Sequence, residues 1–151
     1  MESKPDQKPN EGRIKHLELI QAVITKMANN AFLIKGWCVT LVAGLLALSA
    51  KDSNHTLVFI AYLPLLMMWG MDAFFLRQER LFRKLYDKCR AMLDVPADFS
   101  MSTADLEKQE QSWIRVMFSK TLLLFYGTMA IALLIATIVL RGWHTAVKNW
   151  F

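Results

Sequence analysis

Residues 121–140 read TLLLFYGTMAIALLIATIVL, twenty positions without one charged side chain. As a helix that length covers about 30 Å, the thickness of a bilayer's hydrocarbon core. A soluble domain of 151 residues has room to bury one such helix, and this chain has two further blocks like it, 31–50 and 56–76. The 54% of hydrophobic residues and the mean hydropathy of +0.26 are concentrated in these blocks. The sequence therefore predicts an all-α integral membrane protein with three transmembrane helices.

Basic residues orient the spans. Six Lys and Arg lie in residues 1–35 and nine in 77–120, against one between the first two spans (Lys51) and two after the third (Arg141, Lys148). The side richer in Lys and Arg stays in the cytoplasm. The amino terminus and the middle segment are expected inside, and the carboxy-terminal tail, with Trp143, Trp150 and Phe151 as an aromatic anchor, outside. A cleaved signal peptide is disfavoured, because thirty residues precede the first apolar block.

Residues 1–12, polar with two prolines, read as a disordered cytoplasmic tail. From 13 to 35, Ile14, Leu17, Ile20, Ile24, Met27, Ala28, Ala31 and Phe32 recur at helical steps, giving an amphipathic helix that continues into the first span core, 36–50. The second span, 56–76, contains Pro64 and a kink is expected there. An apolar stripe of Leu81, Leu85, Cys89 and Met92 carries that helix on through 77–94, where Pro96 stops it. The two extended helices are expected to pack together in the cytoplasm. A loop at 95–103 follows, with Ser102 or Thr103 as a cap for a helix over 104–118 that leads into the third span, 119–140. The outer tail is 141–151.

Asp72 is the residue that demands explanation, since an acid within a span is costly. It lies sixteen residues from the outer start of its span, and Lys35 lies sixteen from the outer end of the first. Both sit about 24 Å below the outer surface, near the inner interface. The spans are antiparallel and joined by a short loop, so Asp72 and Lys35 are expected to meet, with Tyr126 of the third span near the same depth. Two readings stay open: a structural pin, or a proton or ion site.

The run 77–90 carries six basic and two acidic residues. It is either the inner flank that topology demands or a contact for anionic lipid head groups through Arg77, Lys84 and Lys88. No nucleic-acid motif accompanies it, and no nucleic-acid partner is expected. Gly36, Thr40 and Gly44, and likewise Thr128, Ala132 and Ala136, recur every fourth residue and let helices approach closely, within the subunit or between subunits. Cys38 and Cys89 are read as reduced thiols, and His16, His55 and His144 are scattered without metal-ligand spacing. No catalytic constellation, metal site or cofactor motif is found, and no enzymatic activity is expected.

The strings IKGW (34–37) and WGMDAFFLRQERLFRKLY (69–86), with DFSM at 98–101, resemble the signature of the RipA-like family of small octameric bacterial inner-membrane proteins. The resemblance covers residues 14–90. It implies a homo-octamer in the bacterial cytoplasmic membrane and supplies no reaction. The reading that follows is a homo-oligomeric assembly, a scaffold or pore-like ring, whose partners are further copies of itself and phospholipids, including anionic lipids of the inner leaflet. Gln78, Glu79, Arg80, Arg83 and Tyr86 are expected to make polar contacts within or between subunits below the membrane. One alternative is an ion or solute channel or carrier using Asp72 and Lys35. Another is an accessory subunit of a different complex.

Overall fold

The computed structural model describes residues 8–52, 55–91 and 98–148, with side chains over 11–51, 56–91 and 98–139. The described residues are helical apart from short connections, with no strand. The elements are α1 (Lys8–Asp52), α2 (His55–Ile60), α3 (Tyr62–Ala91), α4 (Ala104–Glu107), α5 (Trp113–Met117) and α6 (Lys120–Lys148). Three stretches are long and apolar enough to cross a membrane: Glu11–Lys51, Thr56–Ala91 and Lys120–Val139.

Helix α1 is continuous for 45 residues, about 68 Å. It begins at Lys8, ahead of the expected start at residue 13. Pro9 falls in the first turn, where its missing N–H leaves no bond unmade. The expected kink at Pro64 takes the form of a break. Pro64 has no N–H for the Ile60 carbonyl, so α2 ends at Ile60 and Ala61 forms a turn before α3 resumes. The Ala61 N–H still reaches Leu57 O at 3.1 Å. Helix α3 runs 30 residues to Ala91. Its expected end near Pro96 lies outside the described residues, as do the side chains of Trp143, Trp150 and Phe151.

The expectation of one helix over 104–118 is corrected. The segment forms two short helices, α4 and α5, separated by turns at 108–112. Nothing in its side chains forbids a helix. Its backbone is instead drawn to cations of α3, as described below. Thr103 occupies the cap position of α4 without a side-chain bond, while Ser102 Oγ accepts from the Ala104 N–H at 3.5 Å.

Two cores hold the helices. The first joins all three apolar stretches through Cys38, Val42, Val58, Leu65, Ala73, Leu122, Tyr126 and Leu133. The second joins the polar halves of α1 and α3, with Ile20 and Ile24 against Leu81 and Leu85, closed over by Leu106 of α4. The stripes read from the sequence are thus the ones that meet, except that Ile14 and Phe32 point outward, 51% and 76% exposed, and that Met92 lies outside the described residues. Each fully buried Leu or Ile in this second core contributes about 1.5–3 kcal/mol.

One residue of that half was not expected inside. His16 is buried, its Nε2 lies 3.1 Å from Ser100 O, and its ring packs on Phe99 at 5.5 Å. Phe99 has a φ of 53°, a left-handed conformation uncommon for a bulky residue. The pair ties the chain entering α4 down onto α1.

Candidate functional site

Asp72 is fully buried at the level where the two cores join. One turn earlier on α3, Met68 and Trp69 lie on the same face. From α1, Lys35 and Cys38 approach three residues apart, and from α6 comes Tyr126. Lys35 Nζ pairs with Asp72 Oδ2 at 2.5 Å and also faces Ala31 O at 3.5 Å. The Tyr126 hydroxyl donates to the same Oδ2 at 3.1 Å, with Met68 O 3.3 Å away. The three residues that the depth of each span placed at one level are therefore brought together on one carboxylate oxygen. The other oxygen, Oδ1, is buried without a hydrogen-bond partner among the described residues.

Two tryptophans close this site from the side of α5. The Trp69 ring stacks on Tyr126 at 5.9 Å and 12°, and its Nε1 donates to Met117 O at 2.8 Å. Trp113 returns the contact, its Nε1 donating to Gly70 O at 3.0 Å. Gly70 allows this close approach, because a Cβ would stand 3.3 Å from the Trp113 ring. Reasoning from sequence did not find this exchange.

Beyond Asp72, the cations of α3 grip the 108–112 turn. Arg77 Nε donates to Gln111 O at 3.2 Å, and Lys84 Nζ donates to Gln109 O at 2.7 Å. Glu110, with a side chain only 6% exposed, pairs with Lys84 at 2.8 Å and with Arg80 at 3.8 Å. Burial alone would raise the Glu110 pKa. The Lys84 hydrogen bond, the Gln111 backbone N–H and the charges of Lys84 and Arg80 outweigh it and hold the carboxyl below its usual range. These bonds use carbonyls that a continuous helix would have kept for itself, which explains the break in the expected helix.

The basic run also makes contacts within the subunit. Arg77 and Lys84, expected at lipid head groups, are engaged within the subunit, and Lys88 is left exposed. Glu79 and Arg83 pair with each other at 2.7 Å along α3, and Arg80 turns to Glu110. Gln78 and Tyr86 are half-buried, Tyr86 against the second core. Gly36, Thr40 and Gly44 are exposed on α1, as are Thr128 and Ala132 on α6, with Ala136 half-buried. They do not supply the packing within the subunit. Among the described residues no group of three or more His, Cys, Asp or Glu side chains is placed to hold a metal ion.

No family model, curated protein or solved structure matches this chain.

Proposed function

We propose that this protein is the subunit of a homo-oligomeric assembly in the bacterial inner membrane, a non-enzymatic scaffold or pore-like ring, octameric by its likeness to the RipA-like proteins. The amino terminus and the polar halves of α1 and α3 face the cytoplasm, where Lys and Arg accumulate. The observation that carries this reading is the enclosure of Asp72. Its charge is matched by Lys35 and bonded by Tyr126, whose ring is in turn stacked on Trp69, all from its own subunit. An acid spent in this way fixes the crossing of α1, α3 and α6 at the inner boundary and gives each copy one rigid shape to assemble. Three cations of α3, Arg77, Arg80 and Lys84, likewise bond the subunit's own turn. Native mass in mild detergent tests the assembly: a defined multimer is expected, and a monomer contradicts it.

One observation favours a second reading, a channel or carrier. The unpartnered Asp72 Oδ1 is a buried acceptor beside a cation and a phenol, the makings of a proton site. Purified protein in liposomes separates the two. A scaffold shows no ion flux that depends on Asp72, whereas a flux present in the native protein and abolished in Asp72→Asn establishes conduction.

A further inference from the structure

Beyond Asp72 the cations of α3 are neutralised unequally. Arg80 and Lys84 pair with Glu110, and Arg83 pairs with Glu79. Arg77 pairs with no carboxylate among the described residues. It spends its Nε on Gln111 O at 3.2 Å, a neutral partner, and its two terminal nitrogens have no partner among the described residues. Arg77 is half-buried, and the bond to Gln111 holds its guanidinium beside the entry to α5. Five residues of helix, about 7.5 Å, separate it from Asp72. A fixed cation without a counter-charge therefore stands where the second span gives way to the polar half of α3.

An apolar groove of about 510 Å³ runs along α3 toward this cation. Leu66, Met67, Met71 and Phe74 line it, Gly70 leaves room in it, and Trp113 walls it. Trp113 is held in place by its bond to Gly70 O. The four larger α3 side chains are exposed on the subunit surface. Gly70 and Phe74 lie seven and three residues before Arg77 and share its face of the helix. The groove is thus apolar along its length and positive at one end.

We infer that this groove seats one anionic phospholipid, an acyl chain along Met67, Met71 and Phe74 and the phosphate on the terminal nitrogens of Arg77. Charge complementarity selects the occupant. The apolar length suits a lipid chain, and a guanidinium offers paired N–H donors to two oxygens of one phosphate. A head group of net negative charge supplies what Glu110 and Glu79 supply to the neighbouring cations, whereas a zwitterionic head group brings a cation of its own. The inference rests on the membrane placement proposed above and not on the number of copies.

A photoreactive side chain at Met71, in protein reconstituted into vesicles of equal phosphatidylglycerol and phosphatidylcholine, tests the seat. Both leaflets carry both lipids, so the orientation of the chain does not affect the result. Adducts to phosphatidylglycerol are expected to exceed those to phosphatidylcholine about fivefold, the preference that one basic residue near an anionic lipid surface gives. The same side chain at Leu134, exposed within the uncharged run of α6, is expected to label both lipids equally. Arg77→Gln is expected to abolish the preference at Met71, and Arg77→Lys, which keeps the charge but not the Nε bond, to retain most of it. Equal labelling at Met71, or a preference lost alike in both Arg77 variants, overturns the inference. Adducts to another copy in place of lipid also overturn it and make the groove a contact between copies. Protein that stays outside the bilayer overturns the membrane placement as well. A single chain that keeps the preference supports the lipid seat and contradicts only the homo-oligomeric reading.

Discussion

Lys35 and Asp72 form one ion pair of unequal burial: the lysine side chain is 26% exposed and the carboxylate side chain 1%. The two partners are therefore unequal in what their loss leaves behind. Lys35→Met strands a buried charge and is expected to destabilise by about 3 kcal/mol. Asp72→Asn leaves a lysine whose long stem can carry its ammonium toward the interface, and costs less. The double variant is expected to be more stable than Lys35→Met alone. Thermal unfolding in detergent, followed by helical signal, gives the order. A double variant no better than Lys35→Met would show that the pair is not coupled.

Trp69 acts through both its ring and its N–H. Trp69→Phe keeps an aromatic face for Tyr126 but removes the bond to Met117 O. The expected loss is about 1 kcal/mol, that of one hydrogen bond. Gly70→Ala, which pushes a methyl at the Trp113 ring, is expected to loosen the same contact from the other side. Tryptophan fluorescence should report both, and a spectrum unmoved in both variants argues against the exchange.

Glu110 makes stability depend on pH in a definite direction. Its folded pKa is lowered, so its contribution is complete above the ordinary carboxylate value of about 4.3 and is lost as pH falls through the lower folded value. Glu110→Gln is expected to be less stable than the native protein at neutral pH, and the gap should close on acidification below about pH 4. The difference between the two stability curves isolates Glu110 from the other acids. A gap that stays constant with pH would show that its charge is not what holds the turn.

Leu81 is the centre of the second core and is fully buried. Leu81→Ala is expected to cost about 2–5 kcal/mol, mostly through the cavity it leaves. Limited proteolysis of the polar halves of α1 and α3 should accelerate while the apolar stretches stay protected. Unchanged cleavage would mean that these halves are not held by this core.

Much of this architecture is legible in residue spacing. A helix rises by a fixed amount per residue and the first two spans are joined by a short connection, so counting inward from the loop is enough to place Lys35 opposite Asp72. The stripe from Leu81 to Leu85 likewise announces its partner stripe at Ile20 and Ile24. The break at 108–112 is not legible in the same way. No proline or glycine marks it, and it depends on Arg77, Arg80 and Lys84 arriving from a different helix to take Glu110 and its neighbouring carbonyls. His16 escaped for a related reason: its partner is a backbone oxygen at Ser100, which side-chain patterns do not reveal. The strip of Gly36, Thr40 and Gly44 is visible as a pattern, but which way it faces is fixed only by the helices that pack on the opposite side of α1.

The central claim is that many copies of this subunit assemble with one another. Native mass spectrometry of the protein extracted in mild detergent tests it most directly. The account predicts a single species at an integer multiple of the 17.4 kDa chain. A native protein that flies only as one chain, under conditions that preserve its helical signal, would contradict it.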